Sequence, residues 1–313
     1  MDYIDVTLRD GGHQINFDWP DNFVHSHLKV MVESPTINFT EIGYWKQTAK
    51  SNNKFYNFNE NHLQDISEKL GLENCNKFSV MVDCHYCKHD INEYPNENFG
   101  LGLVRVCARF EDVERGIKLG ENIKKRTGSK LGMNFSNITN YTADNLERCI
   151  KLSSNSGVNF IYFADSHGTL DLEEDYKKYF DLAEMVKSYG MIPGFHLHDH
   201  SGKAYFNYRN LSKCGFEITD ISLSGMGKGN GNLKLENVIP VEENLKILDH
   251  LEEYRYIMTM KPSSYGIVSS SLSITDNYAL HAMNLGIKPS EFYEKAQCIK
   301  GMDKDNYSKD VLI

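Results

Sequence analysis

A chain of 313 residues with 40% hydrophobic and 25% charged side chains can bury a large core, which excludes a disordered chain. The formal net charge of -9, with no basic cluster beyond short pieces such as Lys124-Lys125-Arg126, excludes a binder of nucleic-acid backbone and leaves a small molecule as the default partner. No run reaches the roughly 20 apolar residues of a membrane helix, Met1 to Asp5 carries no basic or apolar leader, and the seven cysteines are odd in number and scattered, so the chain reads as cytoplasmic with free thiols.

In chain order, runs rich in β-branched and aromatic residues fall at Tyr3 to Leu8, Phe39 to Tyr44, Phe78 to Val82, Leu103 to Cys107, Leu131 to Phe135, Phe160 to Ala164, Ile192 to Leu197 and Ile218 to Leu223. Helical spacing of apolar residues marks Glu111 to Lys125, Ala143 to Ser154, Leu172 to Ser188 and Leu235 to Leu248 between them. Alternating β and α elements predict a parallel sheet, and eight alternations close a (β/α)8 TIM barrel more naturally than they extend a doubly wound open sheet. No Gly-x-Gly-x-x-Gly turn follows the first strand to suggest a dinucleotide site. The reading is a catalytic barrel over residues 1–250, with a helical extension over 251–313 packed on it; its apolar positions lie between Ser270 and Leu285 and from Pro289 to Ile299.

Barrel sites are built at the C-terminal ends of the strands. The first strand runs into Arg9-Asp10-Gly11-Gly12-His13, which places a cation, a carboxylate and an imidazole at one strand end; an Arg9–Asp10 ion pair in a tight turn is the plain alternative. In the seventh strand His196 and His198 share a face because strand side chains alternate with period two. They are either buried, hydrogen-bonded histidines or, with Asp10, two imidazoles and a carboxylate holding Mn2+, Mg2+, Fe2+ or Zn2+ with positions open for substrate. The glycine-rich Ser224 to Asn232 can turn backbone N–H groups toward an anion or serve as a plain loop, and Asn232 offers a neutral oxygen to the metal. Cys84-His85-Tyr86-Cys87-Lys88-His89 looks like a zinc site but lacks a second closely spaced ligand pair, so it is read as the loop after strand three, lining the substrate pocket.

Four ordered motifs carry a family resemblance. Asp5-Val6-Thr7-Leu8-Arg9-Asp10-Gly11-Gly12-His13, Asp165-Ser166-x-Gly168-Thr169-Leu170, His196-x-His198-Asp199-x-x-Gly202-x-Ala204-x-x-Asn207 and Gly225-Met226-Gly227-x-Gly229-x-Gly231-Asn232-x-x-Leu235-Glu236 resemble the metal-dependent aldolases and acyl-transfer lyases that share a barrel. Within that group His13 and Tyr265-Gly266-Ile267-Val268-Ser269-Ser270 resemble 4-hydroxy-2-oxovalerate aldolase. A 3-hydroxy-3-methylglutaryl-coenzyme A lyase would carry a cysteine between Gly225 and Asn232, and an isopropylmalate or homocitrate synthase would prefer Gln at position 13 and a longer chain.

The resemblance implies a class II 2-oxo acid aldolase that joins pyruvate, as its enolate, to an aldehyde. It implies Mn2+, or Mg2+, on Asp10, His196, His198 and Asn232; substrate contacts from Arg9, Asp10, Ser166 and His196; and catalytic roles for Arg9, His13 as base, and Tyr265 in the aldehyde pocket. A coenzyme A-dependent lyase or synthase and an inactive barrel used as a binding subunit stay open as alternatives. The expected partners are a 2-oxo acid and an aldehyde, with a homodimer through the tail or an aldehyde dehydrogenase as protein partners.

Overall fold

The computed structural model describes residues 1–46, 48, 51, 53–58, 60–70, 76–87, 100–258, 260 and 262–311. Eight parallel strands, β1 (Asp2–Asp5), β2 (Ile37–Trp45), β3 (Phe78–Asp83), β4 (Leu103–Ala108), β5 (Lys130–Phe135), β6 (Phe160–Asp165), β7 (Ile192–Leu197) and β8 (Ile218–Ile221), pair in sequence order, and β1 closes on β8. Around them run α1 (Asp21–Glu33), α2 (Glu60–Leu70), α3 (Val113–Thr127), α4 (Ala143–Ser154), α5 (Leu172–Ser188), α6 (Ala204–Lys213) and α7 (Leu245–Glu253). The fold is the TIM barrel expected from the strand and helix rhythm.

Local chemistry sets the ends of these elements. Thr142 caps α4 by accepting from the Asn145 amide, and α3 stops where Gly128 takes a left-handed φ of 67° and its N–H reaches the Lys124 carbonyl. Two expected strands are shorter than their apolar runs. After Asp5 the chain turns at once, with Asp10 N donating to the Val6 carbonyl, and Leu223 opens a short turn rather than extending β8. The helix expected over Leu235 to Leu248 is a correction: only Leu235–Asn237, as a 3-10 turn, and α7 are helical there. Pro240 supplies no N–H inside that stretch, and its carbonyl is taken by the Asn244 amide, whose own oxygen accepts from Ser34.

Period-two alternation places Phe39 and Glu41, Leu103 and Arg105, Phe160 and Tyr162, and Ile218 and Asp220 on the inner face of four strands. Ile4, Val6, Phe39, Leu103, Phe160, Tyr162 and Ile218 fill the lower interior. Above them lies a charged layer. Arg105, with no exposed surface, donates from Nη1 to both oxygens of Asp220 at 2.8 Å and from Nε and Nη2 to Glu41 at 2.8 and 2.7 Å, and its guanidinium lies over the Tyr162 ring. Two strand glycines make room for it: a Cβ at Gly132 would meet Arg105 at 3.1 Å, and one at Gly194 would meet the Tyr162 ring at 2.8 Å.

The barrel ring closes with α7 against α1, so the expected join at residue 250 lies within α7. The tail then forms α8 (Ser264–Ser271), α9 (Asp276–Asn284) and α10 (Pro289–Ala296), sharing a core of Ile274, Tyr278, Ala279, Ala282, Phe292, Ala296 and Ile299. It docks over the C-terminal end of the barrel. Ser270 donates to the Gly168 carbonyl, Asp305 meets His167 at 2.9 Å, and Asp276 stands 3.5 Å from His200.

The charged layer generates a stability prediction. Arg105→Ala strands Glu41 and Asp220 without their shared cation and is expected to cost about 3–5 kcal/mol in urea denaturation. A loss below about 1 kcal/mol would show that the layer does not depend on it.

Candidate functional site

Asp10 and His196 stand at the C-terminal ends of β1 and β7, and His198, one residue past β7, is held by a bridge to Asn232. One ligand atom from each of Asp10, His196 and His198 falls within 4.8 Å of the others, and all three residues are buried. His196 Nδ1 lies 2.9 Å from an Asp220 oxygen and His198 Nδ1 lies 3.2 Å from the Lys228 carbonyl. A carboxylate and a carbonyl only accept, so each Nδ1 carries the hydrogen and each Nε2 is turned toward the cluster. Those two Nε2 atoms face each other at 3.2 Å. Burial holds His198 well below its usual pKa, which leaves its Nε2 an acceptor. The Arg9 charge, with smaller help from the histidines, overcomes burial and keeps the Asp10 carboxyl well below its usual range.

Asn232 adds a fourth acceptor. Its amide donates to Asp10 Oδ2 at 2.8 Å and to the Met226 carbonyl at 3.1 Å, which leaves Oδ1 buried without a donor. Around this cluster the Arg9 and Arg105 guanidiniums face three carboxylates, Asp10, Glu41 and Asp220. Acceptors gathered in a buried space with a surplus of negative charge fit a divalent cation. The second partner that orients each histidine is also in place, as a ligating imidazole requires.

Arg9 brings a complementary group. Its Nε binds Glu41 at 2.6 Å and its Nη1 binds Asp10 at 2.6 Å, while its buried Nη2 has no hydrogen-bond partner and stands 3.7 Å from Asp220. The Tyr44 hydroxyl joins the cluster at 3.2 Å from Arg9 Nη1, 3.5 Å from Asp10 Oδ1 and 3.4 Å from His13 Nε2. His13 is half-buried, edge-on to Phe17 and Tyr44, and burial lowers its pKa to about 3.

The space over the barrel mouth divides into two adjoining cavities that share Tyr44, Asp83, Tyr86, Arg109, Lys228 and Asn277. The inner one, about 480 Å³, contains Arg9, Asp10, Ser166, His196 and His198; the outer one, about 720 Å³, contains His13 and reaches the tail at Asp276 and Met283. Ser166 lies at the inner wall, its oxygen accepting from the Asn137 amide. Tyr265 is the site residue that the structure does not bring there. Its hydroxyl donates to the Ile287 carbonyl at 2.6 Å and its ring packs beside Phe292, because it faces the tail core, and it is not among the described residues lining either cavity.

The glycine-rich loop meets an anion inside the chain. Lys228 N donates to Asp10 Oδ2 at 3.2 Å while the Lys228 carbonyl holds His198, so the loop orients two of the cluster residues through its backbone. Cys84 and Cys87 point into the hydrophobic core, where burial pushes the Cys84 thiol up to about 12. Lys88 and His89 lie outside the described residues, while Asp83 and Tyr86 line both cavities. Glu41, Tyr44, Arg105 and Asp220 escaped the sequence reading. The available signal was a charge inside an apolar strand, as in Leu103-Val104-Arg105-Val106-Cys107, where burial demands a partner.

Comparison with known proteins agrees with this geometry. Residues 107–261 match the family described as HMGL-like. This part of the chain is similar to the HMGL-like proteins. It is 24% identical over 263 residues to the 4-hydroxy-2-oxovalerate aldolase of Spirochaeta aurantia, covering 81% of this chain and 73% of that protein. It is 22% identical over 273 residues to the oxaloacetate decarboxylase of Mycobacterium tuberculosis, covering 84% and 78%. In structure it overlays the N-terminal domain of a candidate aldolase from Bacteroides vulgatus with a TM-score of 0.75 at 19% identity, over 91% of this chain and 97% of that one.

The environment of His13 sets a pH expectation. Burial penalises the imidazolium, so in metal-free protein the ring stays neutral from pH 8 down to pH 4, and stability falls as pH drops below about 6.5, where the unfolded histidine takes up a proton the folded one refuses. Nitrogen-15 NMR of the ring checks this, and a His13 titration centred near 6.5 overturns it.

Proposed function

We propose that this chain is a divalent-metal-dependent aldolase that makes or cleaves the bond between the pyruvate methyl carbon and an aldehyde carbon. The observation that carries the reading is the pairing of acceptors and donor in one buried space. The Nε2 atoms of His196 and His198 face each other beside Asp10, and the unpartnered Nη2 of Arg9 stands at the same strand end. Asp10, His196 and His198, with Asn232 Oδ1, would hold the cation, Mn2+ in preference to Mg2+ because imidazole suits the softer ion. Bound there, it would polarise the carbonyl of a 2-oxo acid and favour loss of a methyl proton.

The chain's own groups carry the remaining work. Arg9, itself buried, donates from Nη2 toward the oxygen on which charge accumulates. Ser166 and the inner wall position the carboxylate end. His13, neutral and facing the outer cavity, takes the hydroxyl proton of a 4-hydroxy-2-oxo acid as the carbon–carbon bond breaks and returns it in condensation. The Tyr44 hydroxyl, within reach of both Arg9 and His13, keeps the two halves in register. No role falls to Tyr265. The second cavity, with His13 on its wall, supplies room for an aldehyde as a separate reactant.

Each purified chain is expected to carry one divalent metal, and His198→Ala to lose it by elemental analysis; a full complement in a folded His198→Ala protein would remove the assignment. The decisive experiment needs no aldehyde. Metal-loaded protein is expected to exchange the pyruvate methyl protons with deuterium from solvent, about a hundredfold more slowly in Arg9→Gln and near the buffer rate after metal removal. A coenzyme A-dependent enzyme would leave pyruvate alone and act on a thioester, and an inactive barrel would exchange nothing. Buffer-rate exchange in metal-loaded protein that binds pyruvate therefore sinks the proposal.

A further inference from the structure

The outer cavity is not neutral. Lys46 follows β2 and its side chain is only 6% exposed, yet it lines this cavity. The ammonium sits among three tyrosines, 4.0 Å from the Tyr44 ring centre, 4.2 Å from Tyr56 and 5.2 Å from Tyr86. The Asp83 carboxylate stands 3.6 Å away, beyond hydrogen-bond length, and also caps the His85 amide. Among the described residues no acceptor lies within hydrogen-bond distance of the ammonium. Aromatic faces stabilise a cation without using its N–H donors, so those donors remain available to a ligand.

Two further cations face the same space. Arg109 is bonded to the neutral Asn306 amide, and neither Arg109 nor Lys228 makes an ion pair among the described residues. The acidic residue at the tail wall is occupied elsewhere: Asp276 accepts from Ser269 at 2.7 Å and faces His200. The wall of this cavity thus carries three cations, Lys46, Arg109 and Lys228, against two carboxylates, Asp83 paired with Lys46 and Asp276 facing His200. Tyr44 fixes where that charge lies. Its hydroxyl is within hydrogen-bond reach of Arg9 and His13, and its face carries Lys46, so the ammonium stands over the ring whose hydroxyl reaches the acceptor cluster.

We infer that the aldehyde is short and carries an anionic group, a carboxylate or a phosphate, at its far end, and that Lys46 is the residue that selects it. This rests on the aldolase reading above. The reaction stays redox-neutral: the pyruvate methyl carbon loses a proton, bonds to the aldehyde carbon, and the aldehyde oxygen gains a proton, so an aldehyde with a terminal carboxylate gives a 4-hydroxy-2-oxo diacid. Arg109 and Lys228 lower the cost of bringing that second negative charge beside the first.

The test follows pyruvate consumption by metal-loaded full chain with matched aldehydes, 4-oxobutanoate against pentanal and glycolaldehyde phosphate against glycolaldehyde. In at least one pair the anionic aldehyde is expected to have a kcat/KM higher by about tenfold to a hundredfold, the worth of a charge-assisted hydrogen bond. The pair that shows it tells carboxylate from phosphate. Lys46→Met is expected to bring the ratio within about threefold, mainly through the KM of the anionic aldehyde, and Lys46→Arg to retain most of it. A preference that survives in Lys46→Met overturns the assignment of Lys46. Equal use of both members of each pair by wild-type protein that exchanges pyruvate protons overturns the inference alone, and buffer-rate exchange removes the aldolase reading together with it.

Discussion

Arg105, clamped between Glu41 and Asp220 without exposed surface, is the constraint on which the site above it stands. Asp220 is shared: it accepts from Arg105 and also from His196 Nδ1, so the ion layer determines which nitrogen of His196 is left bare. Glu41 is shared in the same way between Arg105 and Arg9, which turns the Arg9 guanidinium so that Nη1 meets Asp10 and Nη2 is left without a hydrogen bond, 3.7 Å from Asp220. The orientation of the donor and of one acceptor therefore traces back to a single buried cation. Burying so much charge is costly unless every member is paired, and the one surplus carboxylate charge is what a metal would balance.

This dependence makes the site rigid where the chemistry is proposed. Asp10 is held by the Arg9 ion pair, the Asn232 amide and the Lys228 backbone N–H, while His198 is held by the Lys228 carbonyl. Groups fixed by hydrogen bonds before substrate arrives need no reorganisation when charge develops. The outer cavity is built differently. Its walls come from His13 and Phe17 after β1, from Tyr44, Lys46 and Tyr56 on and after β2, from the Lys228 loop and from α8 and α9, and it meets the ion layer at Tyr44.

Much of this was legible in the sequence, for identifiable reasons. Strong β-branched runs alternating with helically spaced apolar residues revealed the barrel, and period-two spacing put His196 and His198 on one face. In the structure the ligand atoms of Asp10, His196 and His198 lie within 4.8 Å of one another, and the Asn232 amide donates to Asp10. The ion layer stayed hidden because Glu41, Arg105 and Asp220 lie on three strands far apart in sequence, and their partnership depends on closure of the barrel. Tyr265 was placed by resemblance, but the tail turns it toward Phe292, and such a turn depends on packing that local sequence does not encode. Leu235 to Leu248 failed for the opposite reason: apolar spacing was read past Pro240, a local breaker.

The docking of the tail across the barrel mouth separates two kinds of change open to such a protein over evolutionary time. Residues that roof the outer chamber lie on α8 and α9, whereas the chamber meets the ion layer at Tyr44 on β2. A substitution at Leu280 or Met283 can alter the volume and polarity of the chamber without disturbing any buried charge. A lineage of this architecture can thus exchange one reactant for another by drift in its roof while the reactive floor is inherited unchanged.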